Sequence, residues 1–266
     1  MASQEPSKTD PFRCAADLCH SIVKPSPSDA MDQVSSENEQ YIFRPSLELQ
    51  IAGLNMLQDK SFEDSAAHAV SFACFGVDHV IWCWNLAVAG QVRVAFTLAR
   101  SAVEAFIFEM AAVLVSSAFE EKWNTRKGTA GFFLNHLEGV SPRVRGLAQA
   151  AWSHCAQLGH PSIWPVMGAV ERIESEQGVF SGMTFAGQHA GCLNANTFQH
   201  LVSLNSMAAL LGVEAMNLAL ASQWLSDRWK ETYSNFQERL GQHMQIPTHL
   251  KDISDGERNC SKEGSV

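Results

Sequence analysis

One stretch of the chain, residues 90–117, constrains the fold more than any other. Its sequence is GQVRVAFTLARSAVEAFIFEMAAVLVSS, which is apolar around most of a helical circumference. A helix that is apolar on nearly all sides is covered by its neighbours, so the sequence predicts a long, central, buried helix over 91–117. The ionisable residues of this segment are Arg93, Arg100, Glu104 and Glu109.

Arg100 and Glu104 are spaced i, i+4, so their side chains can pair on one face of that helix. Arg93 lies two turns earlier on about the same face. A buried arginine needs a partner, because an unpaired buried charge costs several kcal/mol. Two interpretations stay open. Arg93, Arg100 and Glu104 either form a polar pocket that binds a ligand, or form a structural ion pair that fixes the helix register.

The periodicity of the rest of the chain predicts an all-α fold, a multi-helix bundle around this central helix. Pro45 suits the first position of a helix, and Ser61 followed by Asp64 is typical of another start. Residues 177–194 carry no charge and four glycines, which predicts a long loop, with a small β-hairpin as the alternative. The predicted helices cover 45–59, 61–89, 91–117, 130–137, 141–159, 165–176 and 196–244, with a short charged helix or turn at 118–128.

The polar ends of the chain predict the domain limits. Residues 1–43 are rich in Pro, Ser and acidic residues and are expected to be weakly ordered, with room for a short helix at 12–23. The bundle domain is expected over 44–246, and residues 247–266 are expected to be a disordered tail.

Charge and cysteine usage narrow the functional classes. The net charge is −9, with 28 acidic and 19 basic residues, so binding to RNA or to an anionic membrane is disfavoured. The N-terminal residues are not typical of a signal peptide, and no uncharged apolar run reaches the length of a membrane span. The seven scattered cysteines fit a reducing compartment. We therefore expect a cytoplasmic protein without a membrane segment.

A second group of polar residues lies where the helix over 141–159 ends. His160 precedes a proline, which biases it out of the helical region, and His154 and Ser162 lie close in sequence. Histidine is suited to acid–base chemistry at neutral pH, so His160 is the catalytic candidate, and His154 and Ser162 are ligand-binding candidates. The alternative is that His160 caps the helix and that His154 is simply exposed.

Motifs for metals and cofactors are absent from the sequence. No Glu-x-x-His, His-Glu-x-x-His or Cys-x-x-Cys occurs, and there is no phosphate-binding glycine loop in a strand–helix setting. We therefore expect neither a metal nor a cofactor.

Two segments, LARSAVEAFIFEMAAVL (98–114) and AWSHCAQLGHPSIW (151–164), carry a family resemblance. The pattern resembles uncharacterised bacterial helical-domain families that look like the HEPN superfamily and its abortive-infection relatives, and it covers about residues 45–230. In such families a helix carrying Arg and Glu packs against a later helix that ends in a histidine, and Arg100, Glu104 and His160 match that arrangement. The resemblance implies an all-α bundle, often dimeric.

Several members of the HEPN superfamily are ribonucleases whose motif is an Arg, four to six residues, and a His. Only Arg13 and His20 have that spacing here, outside the matched region. The first hypothesis is therefore a non-catalytic HEPN-like protein that binds a protein partner, its own copy or a small nucleotide-like ligand, in stress or phage defence. The alternatives are a toxin-type ribonuclease that uses His160, and a purely structural interaction protein.

Overall fold

The computed structural model of the chain describes residues 10–23, 37–89, 91–137, 140–159, 170–175, 178–183 and 195–243. Over these residues the predicted all-α, multi-helix class is confirmed, with one small hairpin added. The elements are α1 (Pro11–Ile22), a π-helix (Asn38–Phe43), α2 (Arg44–Leu57), α3 (Asp64–Val88), α4 (Val92–Leu114), α5 (Ser116–Asn124), α6 (Ala130–His136), α7 (Pro142–Gly159), β1 (Val170–Ser175), β2 (Gly178–Met183), α8 (Ala195–Ala219) and α9 (Asp227–His243).

Helix α4 is the central helix, as its sequence predicts. It packs against α3, α6, α7 and α8, and its contact with α3 is the most extensive between any two helices in the described chain. Small residues allow this close approach: Ala99 and Ala102 are fully buried, and a Cβ added to Gly76 of α3 would lie 2.7 Å from Cζ of Phe106. The helix is shorter than the predicted 91–117, because it ends at Leu114 and a kink at Val115 starts α5.

The predicted final helix over 196–244 is wrong in its continuity. It is divided into α8 and α9, and the Ser226 hydroxyl accepts a hydrogen bond from the backbone N–H of Trp229 at 3.3 Å. Trp229 is completely buried, and its indole N–H donates to the backbone carbonyl of Leu49 at 2.9 Å. The break therefore lets α9 turn back and bury this tryptophan against α2.

The predicted helix over 165–176 is also wrong where the structure describes it. Residues Val170–Ser175 form β1, which pairs antiparallel with Gly178–Met183, and Ser175 is opposite Gly178. The hairpin that the sequence offered as an alternative is therefore present, but its first strand lies before the Gly-rich segment. Each residue of β1 is paired with one of β2, so cross-strand pairing outweighs the weak helical periodicity of 165–176.

Helix α1 lies within 1–43, the segment predicted to be weakly ordered. Asp10 caps it by accepting a hydrogen bond from Phe12 N–H at 3.1 Å, and Pro11 occupies its first turn. It packs against α2 and fully buries Ala15 and Cys19. This part of the segment therefore belongs to the packed structure.

Two helical stretches of the described chain, Asp64–Val88 and His200–Ala219, are long and apolar enough to cross a membrane by length and composition, each with a mean hydropathy of 1.3. The α8 stretch is 78% buried, as is usual for a core helix. The α3 stretch is only 39% buried, so much of an apolar helix faces outward. The expected absence of a membrane segment stays a prediction.

Candidate functional site

The ion pair between Arg100 and Glu104 is formed as their spacing predicts. Nε of Arg100 donates to Oε1 of Glu104 at 3.0 Å. The expectation that this charge is buried is wrong, because the two side chains are 30% and 32% exposed. Water still solvates both side chains in part, so the ion pair contributes little to the stability of the fold.

The pair faces the last turns of α7, as the sequence interpretation requires. The Arg100 guanidinium carbon lies 5.3 Å from the ring centroid of Trp152, close enough for a cation–π contact. Cys155, almost one turn further along α7, is buried beneath them. Burial raises the pKa of the Cys155 thiol to about 12, while Arg100 lowers it and Glu104 raises it.

Of the other predicted site residues, His154 is the one whose side chain the structure describes, and it does not join this cluster. His154 is exposed, and because it directly precedes Cys155 it lies on a different side of α7. The backbone of Arg93 lies in α4, but its side chain is outside the described side chains. His160 and Ser162 lie outside the described residues.

The chemical capacity of the cluster is limited. Arg100 is held by a carboxylate on one side and by an aromatic ring on the other, which satisfies its charge within the bundle. Among the described residues, no three or more His, Cys, Asp or Glu side chains are grouped as metal ligands. This geometry favours the structural interpretation, in which the pair fixes α4 against α7.

Glu109 is an acidic residue that the bundle core encloses completely, and sequence reasoning gave it no role. Its side chain is fully buried, and neither carboxylate oxygen has a hydrogen-bond partner in the described part of the chain. Burial raises its pKa well above the ordinary value, so the carboxyl is neutral in the folded protein. The sequence did carry a signal for this burial. The residues three positions away are Phe106 and Ala112, those four positions away are Ala105 and Val113, and all four are apolar.

Glu214 of α8 is a second buried acidic residue, and unlike Glu109 its carboxylate has hydrogen-bond partners. Its carboxylate accepts a hydrogen bond from the Tyr233 hydroxyl at 2.7 Å and one from the Gln237 amide at 2.7 Å. Arg143 adds a nitrogen at 3.5 Å. Burial, and then the hydrogen bond to Glu214, raises the pKa of Tyr233. This network fastens α9 to α8, whereas Glu109 stabilises no such contact.

The outer side of α3 exposes two large aromatic side chains. The exposed positions of α3 between residues 65 and 88 lie within one arc of about 100° on the helix. Phe75 is 49% exposed and Trp82 is 59% exposed, and one ionised residue accompanies them. We call this surface the outer α3 face, and its residues are Ser71, Cys74, Phe75, Asp78 and Trp82.

Comparisons of the chain with protein-family models, with curated proteins and with solved structures give no match, so the fold and the surfaces described above carry the functional argument.

Proposed function

We propose that this chain is a non-catalytic helical-bundle protein that acts by binding a protein partner, and that its first partner is a second copy of itself. The outer α3 face is the single observation that carries the proposal. Large apolar side chains that are exposed together on one element mark interaction surfaces more often than isolated ones do. Aromatic residues such as Trp82 and Phe75 are also the side chains that dominate binding energy at interfaces.

A second copy suits this face because a two-fold contact needs only one self-complementary patch. Asp78 is the only ionised residue among the exposed positions, so two such faces can meet with little charge to desolvate. The outer α3 face covers residues 71–82, about 17 Å of helix. Two helices that meet over that length bury an area at or below the low end for specific interfaces, so we expect a weak dimer with a dissociation constant in the micromolar range or above.

The remaining parts of the proposal rest on the resemblance and on charge. A HEPN-like protein that lacks the Arg-x4–6-His motif in its matched region fits an interaction role in stress or phage defence. The net charge of −9 works against RNA as the partner. The Arg100–Glu104 pair supports the non-catalytic view, because its charges are already satisfied by neighbouring side chains.

The test measures molar mass by light scattering over a concentration series in the micromolar range. The variants are Trp82→Glu and Phe75→Glu, and the matched control is Tyr41→Glu, since Tyr41 is an exposed aromatic residue on another element. We expect a concentration-dependent dimer for the wild type and for the control, and a monomer for both α3 variants. A wild-type protein that stays monomeric contradicts the proposal. Binding to neutral phospholipid vesicles that Trp82→Glu abolishes would assign the face to a membrane instead.

The non-catalytic part has its own test. Total RNA is incubated with the wild-type protein and with His160→Ala, and the fragment profiles are compared. We expect identical, uncleaved profiles. Cleavage that His160→Ala removes would support the ribonuclease alternative.

A further inference from the structure

A small cleft lies where α1, α2 and α9 meet. Its volume is about 120 Å³. The two aromatic walls come from Phe12 of α1 and Phe236 of α9, and Leu49 of α2 is also part of the lining. Glu48 and Arg239 bring opposite charges to the same cleft.

Helical spacing explains how these side chains come together. Phe236 and Arg239 are three residues apart and therefore lie on one side of α9, towards α2. Phe12 is held in place by Arg228, whose guanidinium carbon lies 4.6 Å from its ring centroid. Arg228 in turn forms two hydrogen bonds of 3.1 Å with the carboxylate of Asp10. The α1 wall of the cleft is thus fastened to α9.

The two charged side chains of the cleft form no ion pair with any other residue that the structure describes. Glu48 is half-buried, and no hydrogen bond or ion pair engages its carboxylate among the described residues. The nearby Arg44 is already paired with Glu39, its Nη2 atom 2.6 Å from Oε1. Arg239 donates from Nε to the backbone carbonyl of Asn235 at 3.4 Å, and its terminal nitrogens have no acceptor within the described part. A carboxylate and a guanidinium therefore share a cleft without neutralising each other.

Burial raises the pKa of the Glu48 carboxyl, and Arg44 opposes that shift. An ionised carboxylate beside apolar rings gains more from a bound cation than an exposed carboxylate does, because less water competes for it. The guanidinium of Arg239 is suited to a carboxylate, which it can bind through two parallel hydrogen bonds.

We propose that this cleft binds a small zwitterion with an apolar body, of the class of the aliphatic amino acids. Its ammonium group would bind Glu48, its carboxylate would bind Arg239, and its alkyl part would lie between Phe12 and Phe236. The volume of about 120 Å³ is smaller than the engineered cavity of ~150 Å³ that takes benzene, so the cleft would hold the alkyl part of the ligand, while its two charged groups would stay at the rim with the half-buried Glu48 and the exposed Arg239. This inference is independent of the outer α3 face and of self-association.

The test follows backbone amide signals of the full chain by NMR during titration with three probes: L-leucine, 4-methylpentanoate and isoamylamine. 4-Methylpentanoate is leucine without the ammonium group, and isoamylamine is leucine without the carboxylate. We expect saturable shifts at Leu49 and Phe236 with L-leucine, and at least about tenfold weaker binding of either single-charge probe, since a hydrogen bond to a charged group is lost.

The variants are Glu48→Gln and Arg239→Gln, each expected to weaken L-leucine binding about tenfold or more. Exposed residues supply the matched controls, Glu238→Gln and Arg145→Gln, which are expected to bind like the wild type. Thermal unfolding of each variant shows whether the fold is kept, and Arg239 is exposed enough that its variant should fold. Two outcomes overturn the proposal: no saturable shifts with L-leucine, or equal binding of L-leucine and 4-methylpentanoate.

Discussion

Replacing Glu109 with glutamine should change how the stability of this protein depends on pH. Glu109 is fully buried in α4, and neither carboxylate oxygen has a partner in the described chain. An ionised carboxylate in such a place would cost several kcal/mol, so the folded protein keeps the group protonated. The unfolded chain ionises it near the ordinary pKa of 4.5.

The sign and the size follow from this difference. Below the ordinary pKa both states hold the proton, and the group does not penalise folding. Above it the unfolded chain loses the proton while the folded chain keeps it, so the free energy of unfolding falls by about 1.4 kcal/mol per pH unit. The loss continues until the pH reaches the raised pKa of Glu109. Between the ordinary and the raised pKa, a rise of two pH units lowers the free energy of unfolding by about 2.7 kcal/mol, which is a large share of the stability of a domain.

The assay is urea unfolding followed by far-UV circular dichroism, from pH 4 to pH 7, for the wild type and Glu109→Gln. We expect similar stabilities near pH 4 and a variant that is progressively more stable than the wild type as the pH rises. Glu120→Gln is the control, because Glu120 is exposed, and its curve should run parallel to that of the wild type. Parallel curves for the wild type and Glu109→Gln would refute the reasoning. A less stable Glu109→Gln at pH 7 would show that the carboxylate is ionised and bound.

Two further predictions concern packing around α4. A double-mutant cycle with Arg100→Gln and Glu104→Gln should give a coupling free energy of only about 0.3–0.5 kcal/mol in urea unfolding, because both side chains are about one-third exposed; a coupling above about 2 kcal/mol, the range of buried charge pairs, would contradict this. Gly212→Ala should destabilise the fold by about 1–3 kcal/mol, because the added Cβ would lie 2.6 Å from Cζ of Phe106. Gly146→Ala, with nothing within 4 Å, is the control and should stabilise α7 by about 0.5–1 kcal/mol; equal effects at both glycines would refute the close approach at Gly212.

The candidate site was predictable from the sequence only as far as local spacing decides it. Arg100 and Glu104 pair because four residues of helix bring them together, whatever surrounds them. That Arg100 stacks on Trp152 depends on how α7 crosses α4, and no local pattern specifies that crossing. The exposure of the pair, the partners of Glu214 and the cleft between Glu48 and Arg239 likewise depend on residues far apart in the chain.

The sequence by itself determined the all-α class and the central position of α4, because a helix that is apolar on most sides must be covered by others. It also determined the acidic net charge, which follows from composition alone. Tertiary structure decided which glutamate is buried in the core, where the last predicted helix breaks and which face of α3 stays exposed to solvent. Glu104 and Glu109 look equally suited to a helix, yet only Glu109 meets packing that excludes both water and a partner. The apolar neighbours of Glu109 within α4 indicated its burial, but the lack of a hydrogen-bond partner depends on contacts between distant segments, which spacing within one helix does not specify.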